Sequence, residues 1–197
     1  MQKNSPNFPR LPRVAQITTS HCGPAVLEML IRFLGFNVTQ EEIVDSINVA
    51  SKLDTHGVTV AELGEATRIL FPNLQFWFKE HSNTADLNNI INKYKYPVAI
   101  EWQGIFLEYS DDDNGHYSIV THIDLDKNSL LIFDPYPPFA KSDRKFQITQ
   151  VEPRWWEINE VLDLETNQFK DIRDDHMMFI VTPKDELFPV ELGMMKG

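Results

Sequence analysis

The sequence predicts an α+β protein, with helices first and an antiparallel sheet after them. Three observations support this. Stretches with helix-start signals and apolar periodicity fill the chain as far as Tyr94. Short runs of branched and aromatic residues dominate from Pro97 onward. Asp124-Leu-Asp-Lys-Asn128 reads as a turn joining two of those runs into a hairpin. At 197 residues and 42% hydrophobic composition, the chain can bury one substantial core. No repeat, low-complexity tract or composition break divides it. We therefore expect an extended arm over 1–15, punctuated by Pro6, Pro9 and Pro12, and one domain over 16–197.

The elements follow in order. From Pro24 to Leu34 apolar residues nearly encircle a helix, with Pro24 suited to its first turn and Gly35 to the position past its end. A helix apolar almost all round belongs at the centre of a core. Thr39-Gln-Glu-Glu42 and Thr59-Val-Ala-Glu62 match the capping box, in which side chain and backbone cap each other, and open two further helices. A fourth helix spans Ala85 to Tyr94 and stops before Pro97. Strands are expected over Pro97–Trp102, His116–Ile123, Leu130–Phe133 and Met177–Thr182. Phe76-Trp77-Phe78 reads as strand core, and Asp111–Asp113 as part of a solvated loop delivering the chain to His116. Trp155-Trp156 fits either the lining of a groove or a C-terminal lid.

Composition excludes several functions. A net charge of −11 opposes binding to nucleic acid or to anionic membranes, and permits a cationic peptide or amine as partner. The N-terminal residues show no signal-peptide core, and no apolar run approaches the roughly 20 residues that span a bilayer. A single cysteine forms no internal disulfide, which suits a reducing cytoplasm. His116 and His122 lie six residues apart on one expected strand, roughly 20 Å, too far to share an ion. The pair His21 and Cys22 lacks further ligands at zinc spacing, so no metal or other cofactor is expected.

Chemistry concentrates at that cysteine. Cys22 stands immediately before the apolar helix, where unpaired backbone N–H groups and the positive end of the helix dipole favour a thiolate. Far along the chain, Gly115-His116-Tyr117 and Phe133-Asp134-Pro135 supply a histidine and a carboxylate. If residues 124–128 form the turn, Ile123 faces Ser129 and His116 opposes Tyr136. Asp134 is then the diagonal neighbour of His116 on the same face, about 7–8 Å away at the backbone. A slip of one residue would separate the two side chains onto opposite faces. Cysteine, histidine and an acid are the components of nucleophilic thiol catalysis. Gln16 adds a side-chain amide that can donate to an oxyanion alongside the backbone N–H of Cys22.

The ordered set Gln16, Cys22-Gly23-Pro24-Ala25, Gly115-His116-Tyr117 and Asp134-Pro135 resembles the bacteriocin-processing, double-glycine leader peptidases and their stand-alone relatives among the papain-like cysteine peptidases. His56-Gly-Val-Thr59, Ala61-Glu-Leu63, Asp86-Leu87 and Tyr96-Pro97-Val98-Ala99 resemble the middle region of that family, so the likeness extends over about residues 11–138. It implies a papain-like fold with a central nucleophile helix on a C-terminal antiparallel sheet. It also implies Cys22 as nucleophile, His116 as general base and acid, Asp134 as orienting acid, Gln16 as oxyanion donor, and a peptide or protein substrate. His21 replaces the acidic residue usual before the cysteine, and residues 139–197 lie outside the resemblance. Hydrolysis of a peptide or amide, thiol acyl transfer, and peptide binding without turnover are the functions open to such a chain.

Overall fold

The computed structural model describes residues 8–106, 115–163, 166 and 168–197, so the acidic run Asp111–Asp113 lies outside the described residues. Helix α1 (Cys22–Phe33) runs through the centre, with every residue from Gly23 to Ile31 buried. It begins two residues earlier than the apolar pattern indicates. Gly35 closes it at φ 90°, its N–H bonding to Arg32 O at 3.0 Å. Both expected capping boxes form, Thr39–Glu42 opening α2 (Gln40–Ser46) and Thr59–Glu62 opening α4 (Val60–Leu70), with the short α3 (Leu53–His56) between them. The fourth expected helix divides into α5 (Thr84–Asn88) and a π-helical turn over Asn89–Tyr94. An unforeseen cap, Asn83 with Asp86, starts α5.

Seven antiparallel strands form the main sheet: β1 (Leu74–Lys79), β2 (Val98–Gln103), β3 (Gly115–Asp124), β4 (Ser129–Phe133), β5 (Arg144–Gln147), β8 (Met178–Pro183) and β9 (Met195–Lys196). Their order is β5-β4-β3-β2-β8-β1-β9. The late strand β8 therefore slots between β2 and β1, and α1 packs against β3 and β8. Two further strands, β6 (Trp156–Asp163) and β7 (Gln168–Asp175), pair as a separate hairpin. Trp155 neither lines a groove nor forms a lid. It is buried, stacked on His176 at 4.9 Å, and donates to Met177 O at 2.7 Å. Phe8 and Leu11 are also buried, Phe8 meeting Phe33 edge-on at 5.6 Å. Among the described residues no helix is long and apolar enough to cross a membrane.

The β3–β4 hairpin corrects the expected register in one half only. Beside the turn, Asp124 pairs with Ser129 and Ile123 with Leu130, one residue away from the expected Ile123–Ser129 match. A β-bulge at Thr121 then absorbs that residue, and Val120–Ile132 and Ile119–Phe133 recover the expected alignment. Because side chains alternate between faces, this single extra residue decides whether His116 and Asp134 share a face. Buried polar groups fix it: Thr121 Oγ1 donates to Asp143 Oδ2 at 2.6 Å, and Arg13 forks onto Asp143 at 2.9 and 3.2 Å while lying over the Phe133 ring. The Arg13 and Asp143 side chains are only 2% and 5% exposed.

Removing one member of a buried pair strands the other. Asp143→Ala should therefore cost about 3–5 kcal/mol in urea unfolding, whereas Arg13→Met with Asp143→Leu should recover much of the loss. A double variant no more stable than Asp143→Ala would contradict this assignment.

Candidate active site

Cys22 is the first residue of α1, half-buried, and follows a helix start that has no side-chain cap and no acidic residue in its first turn. The first N–H groups of a helix lack intrahelical partners, and Pro24 has none to offer. The free donors therefore belong to Cys22 and Gly23, on either side of the thiol. Gly23 is also closely packed. A β-carbon there would come within 3.2 Å of the Tyr117 ring, which presses on the start of the helix.

Buried side chains pin the segment before the cysteine. Gln40 donates to Ala15 O and accepts from Ile17 N–H, each at 3.0 Å, and also donates to Glu28 of α1 at 3.2 Å. Gln16 N–H reaches Pro135 O at 2.9 Å, tying the loop to the residue after Asp134. The Gln16 amide nitrogen donates to Thr18 O at 2.8 Å and Thr19 O at 3.0 Å. Its Oε1 is buried without a partner among the described residues. His21 meets Thr18 Oγ1 at 2.6 Å. Burial lowers its pKa against the pull of Glu41 and Asp54, so it is neutral at pH 7.

His116, on β3, directs Nε2 to Asp134 Oδ1 at 2.8 Å, which leaves Nδ1 as the ring nitrogen that can serve the thiol. Asp134 is fully buried and accepts also from Tyr136 N–H at 2.9 Å and Arg144 at 3.1 Å. Arg144 was not legible as a site residue. It is held between the rings of Phe139 and Phe146 and donates to Ile105 O at 2.7 Å. Phe106 covers the His116 ring edge-on at 5.2 Å.

The electrostatics follow from this packing. Burial would lower the His116 pKa, but the charge and hydrogen bond of Asp134, with a smaller contribution from Cys22, push it up to about 10. Burial would raise the Cys22 thiol. The hydrogen bond and charge of His116, with the N–H groups of Tyr117 and Gly23, outweigh it and hold the pKa below its ordinary 9.0. Burial raises Asp134 too, yet His116, Tyr136 N–H and Arg144 bring it below the usual carboxylate value. Both shifts favour the ion pair of thiolate and imidazolium, the form in which a cysteine is nucleophilic.

Cys22 and His116 line one cleft of about 590 Å³, together with Thr19, Ser20 and residues 157–160 of β6. Gln16 is buried and does not line it. Another cleft residue, Glu101, went unnoticed in the sequence, and its side chain meets that of Tyr117 at 2.5 Å. The available signal for Glu101 was one acid inside an otherwise apolar strand run. Among the described residues no cluster of His, Cys, Asp or Glu is arranged to hold a metal ion.

Fold and cleft together define a papain-like, cysteine-peptidase type of domain. The model of the Peptidase C39-like family matches residues 8–162, and the chain belongs to that family. Among solved structures, it resembles the peptidase domain of Streptococcus ComA, a bi-functional ABC transporter of a quorum-sensing pathway. That match has 20% identity and a TM-score of 0.56, covering 87% of this chain and 97% of the other. It also resembles a double-glycine-motif protease from an AMS/PCAT transporter solved with its leader peptide. There the identity is 16% and the TM-score 0.52, with coverage of 88% and 91%. Both likenesses establish the fold. No curated protein matches the chain.

The paired site makes a titration prediction. With one cysteine in the chain, iodoacetamide labelling reports Cys22 alone. The labelling rate against pH should give an apparent pKa below 9.0 in the wild type, and His116→Ala should move it upward. Equal profiles would show that the imidazole does not activate the thiol.

Proposed function

We propose that this protein is a cysteine peptidase that hydrolyses peptide bonds. Cys22 Sγ attacks the scissile carbonyl carbon, and the Cys22 N–H and the Gln16 amide steady the oxyanion. The His116 imidazolium protonates the leaving amine. The neutral ring then takes a proton from water as that water attacks the acyl-enzyme, and Cys22 leaves as thiolate. Asp134 holds the imidazole through Nε2 and favours its charged form. The supporting observation is the convergence, in one cleft, of a thiol with a depressed pKa and an imidazole locked to a buried carboxylate. A structural relative solved with a leader peptide supports a peptide as the substrate class. We place the reaction in the cytoplasm, where a thiolate of this kind stays reduced.

Gln16 must release one of its two carbonyl partners to serve the oxyanion. As a donor, its replacement by alanine should lower kcat by about 10²–10³, or about 2.7–4 kcal/mol, with the fold intact. A lower melting temperature with unchanged kcat would reassign it as a brace for residues 16–19.

The main test is digestion of a peptide mixture, read by mass spectrometry, with folded Cys22→Ala as control. New termini should form with the wild type alone. Turnover should fall above about pH 10, because a raised pKa keeps the proton on His116 up to that point and general-acid help is lost beyond it. Products that persist in Cys22→Ala, or their complete absence from the wild type, would overturn the reading.

A further inference from the structure

We propose that the cleft beside Cys22 and His116 carries an acidic subsite, formed by Glu101 with Glu157 and Glu160 of the β6–β7 hairpin, that receives the lysine or arginine side chain of a peptide substrate. This deepens the peptidase reading and rests on it. The starting point is Glu101. Strand register places it opposite Tyr117 and next to Trp102, which pairs with His116. It is 1% exposed and lines the cleft. Its Oε1 accepts from Tyr117 OH at 2.5 Å and from Asn159 Nδ2 at 3.2 Å. Its Oε2 is buried and no N–H or hydroxyl donor reaches it among the described residues, while the carboxyl of Asp174 lies against the Glu101 carboxyl, so the two acids share one site. Two buried carboxyls facing each other without a cation destabilise the folded chain, and a cationic group is the ligand that removes that cost.

The surroundings share one sign. Among the described residues, Asp54, Glu101, Glu157, Glu160 and Asp171 line the cleft and no lysine or arginine does. The basic groups nearest the cleft are already paired, His116 with Asp134 at 2.8 Å and Arg144 with Asp134 at 3.1 Å. Among the described lining residues the other histidine is His56, which lies 2.8 Å from Glu160 Oε2. Behind Glu101, Asn159 donates to Asp174 Oδ2 at 3.0 Å, adding another carboxyl. Glu157 lies so close over Gly115 that a β-carbon there would sit 2.2 Å from its Oε2, which sets this carboxyl beside the residue preceding His116. Burial pushes Glu101 up to about 8, so a cation arriving at neutral pH would draw a proton off the group and gain a charge partner.

The test uses short alanine–glycine peptides with one lysine or arginine walked through each position, and the same set with uncharged norleucine. Binding to folded Cys22→Ala protein is measured by calorimetry, and cleavage with the wild type is scored separately. The best basic peptide should bind at least tenfold more tightly than its norleucine counterpart. Glu101→Gln, Glu157→Gln and Glu160→Gln should each bring that ratio towards one. The two hairpin variants keep the test intact if Glu101→Gln fails to fold. Equal binding of basic and norleucine peptides, a preference that survives the variants that fold, or no binding by any of the set would overturn the subsite. A basic preference in binding without wild-type cleavage would leave the subsite standing and remove the peptidase reading. Cleavage with no basic preference would do the reverse.

Discussion

The buried carboxylate of Asp134 is the constraint from which the chemistry of this site follows. A charge shut away from water must be matched by opposite charge and filled hydrogen bonds, or it destabilises the fold by several kcal/mol. Asp134 is matched twice, by Arg144 from β5 and by His116 from β3, with the Tyr136 N–H filling a further acceptor position. Since one of those partners is an imidazole, the match holds only while the ring keeps its proton. The imidazolium in turn draws the neighbouring thiol towards thiolate. The reactivity of Cys22 is thus decided partly by a carboxylate it does not touch, and Arg144 is held in place for that task by Phe139, Phe146 and the Ile105 carbonyl.

The sequence made legible whatever depends on local pattern. The capping boxes at Thr39 and Thr59 and the all-round apolar face of α1 are short-range signals that take their expected form, and the turn expected over 124–128 forms one residue shorter, over 125–128. Contacts that depend on distant chain segments were hidden. Arg144 reads as an ordinary charge on a short polar stretch until β5 lies beside β4. Glu101 appears as a single interruption in an apolar strand. The widening of the helix at Asn89 and the hairpin of β6 and β7 carry no periodicity that separates them from alternatives. Cys22, His116 and Asp134 stood out because of their residue types and order, and their meeting then rested on a register the sequence could only suggest.

Family membership and detailed surface are separate matters in this chain. The matched region ends at residue 162, inside β6. The hairpin that lines the cleft with Thr19 and Ser20 therefore straddles the limit of the family pattern. The core that positions thiol and imidazole belongs to the shared architecture, whereas Asp171 and Asp174 come from β7, beyond it.

The bulge at Thr121 divides the β3–β4 hairpin into two lengths of chain with different tolerance to insertion and deletion. Turn-side changes, over residues 122 to 131, can lengthen or shorten the loop while the stretch beyond the bulge keeps its pairing. Loss of one residue at the bulge itself would carry the turn's register through to Ile119 and set His116 and Asp134 on opposite faces, with every hydrophobic residue still available to pack. One irregular residue thus makes the meeting of His116 and Asp134 depend on a position that neither group touches.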